Sequence, residues 1–363
     1  MAEKKMTRRD FVRDSAMAAM GIAAGFAGAT SASAKDSSKI VNYNENMEYR
    51  KLGKTGLMAS AVCLGGHWKR VNMMVPDLFK GGNWLSANVR DPGFMKNRHD
   101  VVSRCIERGI NYIDACTIQE VQAYSAALKG RRDKMYLGCS WYQKEMRNGR
   151  CRTKEALLRT LEEGMKESGL EYVDLWRITM HEQSGNHTEG EVEQMMKALE
   201  AAKKQGKVRF TGFSSHDRTH IKWMIETYPD VVDIVVTPYT AKSKVLPKGS
   251  LFDTLKKHSV GMFGIKPFAG TSLFKGDSSP GNPNAEEDDR RARLAIRYIL
   301  CNPAVTAPIP GMINTQQVDN VAKAVTERRE LDQAEAEELK KATDEMWAKL
   351  PEDYQWLKDW EYV

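Results

Sequence analysis

The chain has 363 residues, of which 41% are hydrophobic and 28% charged, with a formal net charge of +7. That length suits either two ordinary domains or one α/β barrel of roughly 250 residues or more. The basic residues are scattered among acidic stretches such as EGEVEQ and AEEDDRR and form no stripe interleaved with aromatics, which argues against nucleic acid as a partner.

In chain order the first feature is TRRDFV (Thr7 to Val12), an arginine pair ahead of the apolar segment AMAAMGIAAGFAGA. A small-residue exit follows at Ala32-Ser33-Ala34, before Lys35. The apolar run is too short and too weakly hydrophobic for a stable membrane span. The order of these parts resembles a twin-arginine (Tat) export signal over residues 1–34. The resemblance implies delivery of a folded protein by the Tat machinery, to the periplasm or otherwise outside the cytoplasm. A polar linker over residues 35–46 comes next.

From there short apolar runs alternate with longer amphipathic ones. The strand-like runs are SAVCLG, INYIDA, KMYLGC, VDLWRIT, KVRFTGF, VDIVVTP, GMFGIKP and VTAPIPG. Between them lie segments such as HDVVSRCIERG and TKEALLRTLEEGMKESG, with apolar residues three and four apart, which predict helices. Gly109, Gly169 and Gly206 each close such a segment just before a strand. Strands alternating with helices imply a parallel sheet, and this number of units predicts a closed (β/α)8 barrel of the TIM type, over residues 47–330. An open dinucleotide-binding fold would place GxGxxG at the first helix, and LGGHWKR does not supply it.

Two stretches interrupt the pattern: Trp68 to Asn97 after the first strand, and Phe274 to Asp289 after the seventh. Long loops at strand ends are where a barrel builds its pocket. Residues 331–363 predict an acidic helix and a Trp- and Tyr-rich tail packed over one end of the barrel.

The six cysteines (Cys63, Cys105, Cys116, Cys139, Cys151 and Cys301) form no CxxC pair, so no zinc or iron–sulfur framework is expected from spacing. Polar residues at the carboxyl ends of strands are the site candidates. Asp114 ends the second strand, facing a mouth that would also receive Ser140, Thr179, His181, His216, Tyr239 and Lys266. A buried aspartate needs a partner, for which Lys266 is a candidate.

The segments YRKLGKTGLMASAVCLGG, RGINYIDA, ALKGRRDKMYLG, SGLEYVDLW, KKQGKVRFTGFSSH, GIKPFAG and IPGMINTQQVDN, taken in order, resemble the aldo-keto reductase superfamily, most of all its bacterial branch with GxSxH and KPxAG segments. The resemblance implies hydride transfer between NADP or NAD and a carbonyl. It also implies an aspartate, a tyrosine about five residues later, a lysine ending the third strand and a histidine ending the fourth. Asp114 matches the aspartate. Gln119 stands at the tyrosine position, Ser140 at the lysine position and Thr179 at the histidine position, with Tyr124 in the following helix. His181 would share a face with Thr179 if the strand continued. The catalytic expectation is therefore Asp114, His181, Ser140 and Gln119, with His181 or His67 as proton donor at neutral pH.

On the cofactor side the resemblance implies Gly66, Ser214, Ser215, Tyr239, Lys266, Pro267, Gly311, Gln316, Gln317 and Asn320. Tyr239 would stack on the nicotinamide. No arginine stands where a 2′-phosphate would be clamped, which leaves the choice of nucleotide open. The expected partner is a small carbonyl or sugar. A second reading is a barrel that has lost catalysis and binds a ligand or a partner. A third is metal-assisted sugar chemistry by Asp114, His67, His181 and His216, whose spacing matches no metal signature.

Overall fold

A computed structural model describes residues 40–80, 83–244 and 248–360. The twin-arginine segment lies outside the described residues.

The first element among the described residues is a hairpin, β1 (Tyr49–Lys51) paired antiparallel with β2 (Met58–Ser60). Eight parallel strands then form one sheet: β3 (Leu64–Gly65), β4 (Tyr112–Ala115), β5 (Tyr136–Cys139), β6 (Val173–Thr179), β7 (Val208–Ser214), β8 (Ile234–Pro238), β9 (Gly261–Ile265) and β10 (Ala307–Pro308). These coincide with the eight predicted runs. The strands run in sequence order from β3 to β10. The ring closes where Cys63 N–H donates to Pro308 O at 3.1 Å and Gly65 N–H to Pro310 O at 2.8 Å, with Gly65 bridging Gly311 in parallel. The fold is a (β/α)8 barrel.

Helices α1 (Pro92–Glu107), α2 (Ile118–Ala127), α3 (Lys154–Ser168), α4 (Glu189–Lys204), α5 (Arg218–Thr227), α6 (Leu251–His258), α7 (Ala285–Leu300) and α8 (Thr315–Thr326) follow the strands. Their starts are written locally. Thr117 with Glu120, and Thr188 with Glu191, form reciprocal capping boxes on α2 and α4. Asp91 accepts from Phe94 N–H at the start of α1, where Pro92 opens the first turn. Gly169 ends α3 at φ 65°, a left-handed turn that glycine adopts without strain.

Two apolar layers result. One lies between the strands and the surrounding helices. The other fills the barrel interior with Tyr112, Tyr136, Leu175, Val236 and Phe263, and includes Leu52, Leu57 and Ala59 from the hairpin. The hairpin thus plugs the amino-terminal end of the barrel and leaves the carboxyl end for chemistry. Its strands are only three residues long, too short for alternation to mark them in the sequence.

The last part of the segment read as a linker is docked on the barrel. Ile40 is buried, Asn42 Nδ2 donates to Ile106 O at 2.8 Å, and Asn44 Nδ2 to Glu107 O at 2.9 Å. After the barrel come α9 (Gln333–Ala348) and a 3-10 turn (Glu352–Lys358). Among the described residues no helix is long and apolar enough to cross a membrane.

Candidate functional site

The carboxyl end of the barrel opens into one cleft of about 250 Å³. It runs from Asp114, Arg177 and Thr179 on the floor, past Ser214, His216 and Lys266, to Gln316, Gln317 and Asn320 on α8. The polar loop 274–289 forms one wall. Arg70 holds that loop from the other inserted stretch, donating through Nη1 to Gly276 O at 2.7 Å and to Ser278 Oγ at 3.1 Å.

Asp114 is paired on the floor, but not with Lys266. Its partner is Arg177, two residues before the end of β6. Arg177 Nε donates to one carboxylate oxygen at 2.7 Å and Nη2 to the other, a two-point contact between side chains 7% or less exposed. Burial works against the Arg177 charge, yet Asp114 outweighs it and holds the guanidinium above its ordinary range. Arg177 Nη1 also donates to Thr179 Oγ1 at 3.0 Å. A cation thus stands opposite the aspartate, as the family resemblance implies, but it comes from the fourth barrel strand and is an arginine.

Ser140 lies beneath this floor. Its hydroxyl donates to Glu145 Oε2 at 2.5 Å, so the 2.7 Å contact with Thr179 has the threonine as donor. Glu145, wholly buried, further accepts from Thr179 N–H at 2.8 Å and from Trp141 N–H and Trp176 Nε1 at 3.0 Å each. Ser140 is therefore a link in a buried polar chain and does not line the cleft. Gln119 is also placed elsewhere, accepting from Gln143 Nε2 at 3.3 Å. Tyr124 is buried in α2 and donates to Gly65 O at 3.0 Å.

His181 leaves the site because β6 ends at Thr179. The chain turns there, and the imidazole accepts from Arg152 Nη2 at 3.0 Å and stacks on His187 at 4.9 Å. The other histidine proposed as donor, His67, lines the cleft just after β3. Its Nδ1 lies 2.8 Å from Glu120 Oε1, and both ring nitrogens lie 3.8 Å from Cys116 Sγ. Burial opposes the His67 charge, but Cys116 and then Glu120 outweigh it and push its pKa up to about 10. Glu120 is held below the carboxylate range against its own burial, chiefly by His67. The ring of His67 still exposes 46% of its side-chain surface to the cleft.

On the cofactor side Gly66, Ser214, Lys266, Pro267, Gly311, Gln316, Gln317 and Asn320 all line the cleft. Some of them are already engaged. Gln317 Oε1 accepts from Ile313 N–H at 2.9 Å, and Asn320 accepts from Arg293 Nη1 at 2.6 Å and donates to Asp289 O at 2.9 Å. Ser215 turns inward, bonding Ser184 Oγ at 2.7 Å and Glu182 O at 3.2 Å. Tyr239 is also turned into the core, 1% exposed, where its hydroxyl accepts from Asn302 Nδ2 at 3.0 Å.

Tyr354 of the carboxyl-terminal turn lines the cleft, and Trp356 of the same turn stacks on His216 at 4.3 Å and lies 5.5 Å from Lys266 Nζ. Lys266 sits at φ 57°, and this left-handed turn at the end of β9 accompanies a 3.2 Å contact between Nζ and His216 Nε2. Burial lowers the Lys266 pKa to about 8, and burial followed by Lys266 holds His216 well below the usual imidazole range.

Arg177, Glu120 and Trp356 are the residues that spacing did not reveal. Arg177 left one usable signal: in VDLWRIT it shares Thr179's face by the period of two.

The chain is similar to proteins of known kind. The model of the aldo/keto reductase family matches residues 82–293. L-galactose dehydrogenase of Arabidopsis thaliana is 24% identical over 195 residues, which span 49% of this chain and 60% of that protein. An aldo-keto reductase from Bacillus halodurans superposes in its holo form with a TM-score of 0.58 at 19% identity, over 82% of this chain and 96% of that one. Its apo form gives 0.55 at the same identity and coverage. With more than half its length under the family model and the fold to match, the chain belongs to the aldo/keto reductase family.

Proposed function

We propose that the chain is an exported NAD(P)-dependent oxidoreductase acting between a carbonyl, or sugar-like, substrate and the corresponding alcohol, with an altered catalytic set. The observation that carries this reading is the continuity of the cleft: one groove joins the Asp114–Arg177 floor to the residues that the family resemblance assigns to the nucleotide.

The groove's polar groups fit a dinucleotide in order. Near the floor stand Ser214 and His216, and the buried His216 Nδ1 has no partner among the described residues. The Lys266 cation comes next. At the far end is the amino terminus of α8, where Asn314 caps the helix by accepting from Gln317 N–H. When bound, the nicotinamide supplies or accepts hydride. The chain's part is to bind, orient and exclude water. Asp114 holds Arg177 in a two-point buried pair, which gives the reacting end of the groove a rigid polar floor. Trp356 packs against His216 and Lys266 and helps hold both side chains in place beside the groove.

Titration of NADH and of NADPH into the chain, followed by tryptophan fluorescence, tests the reading. Saturable binding, followed by turnover of nicotinamide absorbance with aldehydes or reducing sugars, supports it. Failure of both nucleotides to bind would leave a barrel that holds a ligand or a partner without redox chemistry.

A further inference from the structure

The oxidoreductase reading leaves one chemical role unfilled. Hydride transfer to a carbonyl needs an electrophile at the oxygen. Gln119 stands where the tyrosine is expected and faces Gln143, while Tyr124 is buried against Gly65 O. Resting on that reading, we propose that His67, Cys116 and Glu120 form a site for one divalent cation of the zinc type, which polarises the substrate oxygen in place of the tyrosine.

The ligand atoms converge from two adjacent strand ends. His67 follows β3, Cys116 follows β4 two residues beyond Asp114, and Glu120 lies in the first turn of α2. One ligand atom from each falls within 4.8 Å of the other two, and among the described residues no other trio of His, Cys, Asp or Glu comes this close. Zinc holds thiolate sulfur at about 2.3 Å and imidazole nitrogen at about 2.1 Å, so a shared tetrahedral ion sets them roughly 3.6 Å apart. Cys116 Sγ and His67 Nδ1 stand at 3.8 Å. The Glu120 oxygen, at 2.8 Å from Nδ1, is within hydrogen-bond range and must swing out by about half an ångström to reach the ion's spacing.

The surroundings are those of a built site. The second Glu120 oxygen accepts from Cys116 N–H at 2.6 Å and Thr117 N–H at 3.2 Å, which orients the carboxylate. Gly66 leaves it room, since a Cβ there would lie 2.4 Å from the carboxyl group. The ligand set is mixed sulfur, nitrogen and oxygen, with two anionic groups to balance a divalent charge. His67 and Cys116 both line the cleft, so a fourth position faces substrate or water, the pattern of a catalytic metal site.

In the step this permits, the carbonyl carbon takes hydride from the reduced nicotinamide, which is oxidised. The C=O π bond becomes an alkoxide, its negative charge stabilised by the cation. A proton from water completes the alcohol, and the reverse sequence oxidises an alcohol.

The test uses the purified chain after chelation and dialysis, titrated separately with Zn²⁺ by calorimetry and with Co²⁺ by absorbance. Expected is one ion per chain, a cobalt–thiolate charge-transfer band, loss of that band in Cys116→Ser, and affinity lower by about 10-fold or more in Cys116→Ser and Glu120→Gln. No stoichiometric ion, or binding unchanged in Cys116→Ser, would overturn the site. NADH and NADPH binding measured on the same samples separates the two readings. Nucleotide binding without metal sinks only the metal site; metal binding without either nucleotide sinks the oxidoreductase reading and the polarising role assigned to the ion.

Discussion

Asp114→Asn removes one charge from the floor and leaves the other. Arg177 stays 3% exposed, with the hydroxyl of Thr179 and a neutral amide as acceptors. Two unit charges about 4 Å apart at an effective dielectric near 20 attract by about 4 kcal/mol. Breaking a buried pair by removing one partner costs roughly 3–5 kcal/mol. Asparagine's oxygen can still accept from Arg177 Nε, so the lower end, about 3 kcal/mol, is expected. Urea unfolding followed by tryptophan fluorescence should show the midpoint falling with little change in slope. Arg177→Met should destabilise as well, and the double variant should cost less than the two singles together, by at least about 1 kcal/mol. An Asp114→Asn chain within about 1 kcal/mol of the parent, or additive costs in the double variant, would show that the pair does not hold this floor.

Three further outcomes are expected. The folded-state pKa of Lys266 is lowered to about 8 from 10.5, so between those values the unfolded chain binds more protons. Stability should therefore rise with pH across that window, and the gain is lost as pH falls through about 8; Lys266→Met should flatten the rise, and parallel curves for parent and variant would refute this. Gly66→Ala would press a methyl group against the Glu120 carboxylate at 2.4 Å, and its overpacking should cost about 1–3 kcal/mol in chemical denaturation. Asp289 lines the far end of the cleft beside Gln316, its oxygen 3.3 Å from Gln316 Nε2. Its charge should disfavour a 2′-phosphate, so Asp289→Asn should tighten NADPH relative to NADH by about 3- to 10-fold in a competition titration.

The barrel was legible because its signals are local: apolar runs, helical periodicity and glycine exits are set by each segment's own residues. The hairpin plug was not, since strands of three residues carry too little pattern. Asp114 was legible as an acid closing a buried strand. Its partner was misplaced because alternation along a strand assigns a face, while pairing across the mouth depends on which neighbouring strand end comes within reach. His181 failed for a related reason. A period of two holds only while the strand lasts, and β6 stops at Thr179. Ser215 and Tyr239 were expected to meet a ligand, yet each satisfies its hydroxyl within the protein. Trp356 lies far along the chain from His216, and nothing in either segment announces their stacking.

The family resemblance implies four catalytic positions, of which Asp114 alone matches in residue type, and such a departure does not by itself mean the loss of a site. In a (β/α)8 barrel every strand ends at the same mouth, so neighbouring strands can deliver a charge to one region of space. The cation opposite Asp114 illustrates this. It is absent from the third strand at Ser140 and present on the fourth at Arg177, with Thr179 and Ser140 knitting the gap through Glu145. The same reasoning extends to the electrophile. Asp114 and Cys116 lie on one short segment, and β3 pairs with β4 in a register that sets Gly65 beside Asp114. His67, two residues on from Gly65, is thereby delivered to Cys116. The histidine–cysteine–glutamate cluster beside Asp114 is thus a consequence of strand register, which brings the ends of β3 and β4 together at one side of the mouth.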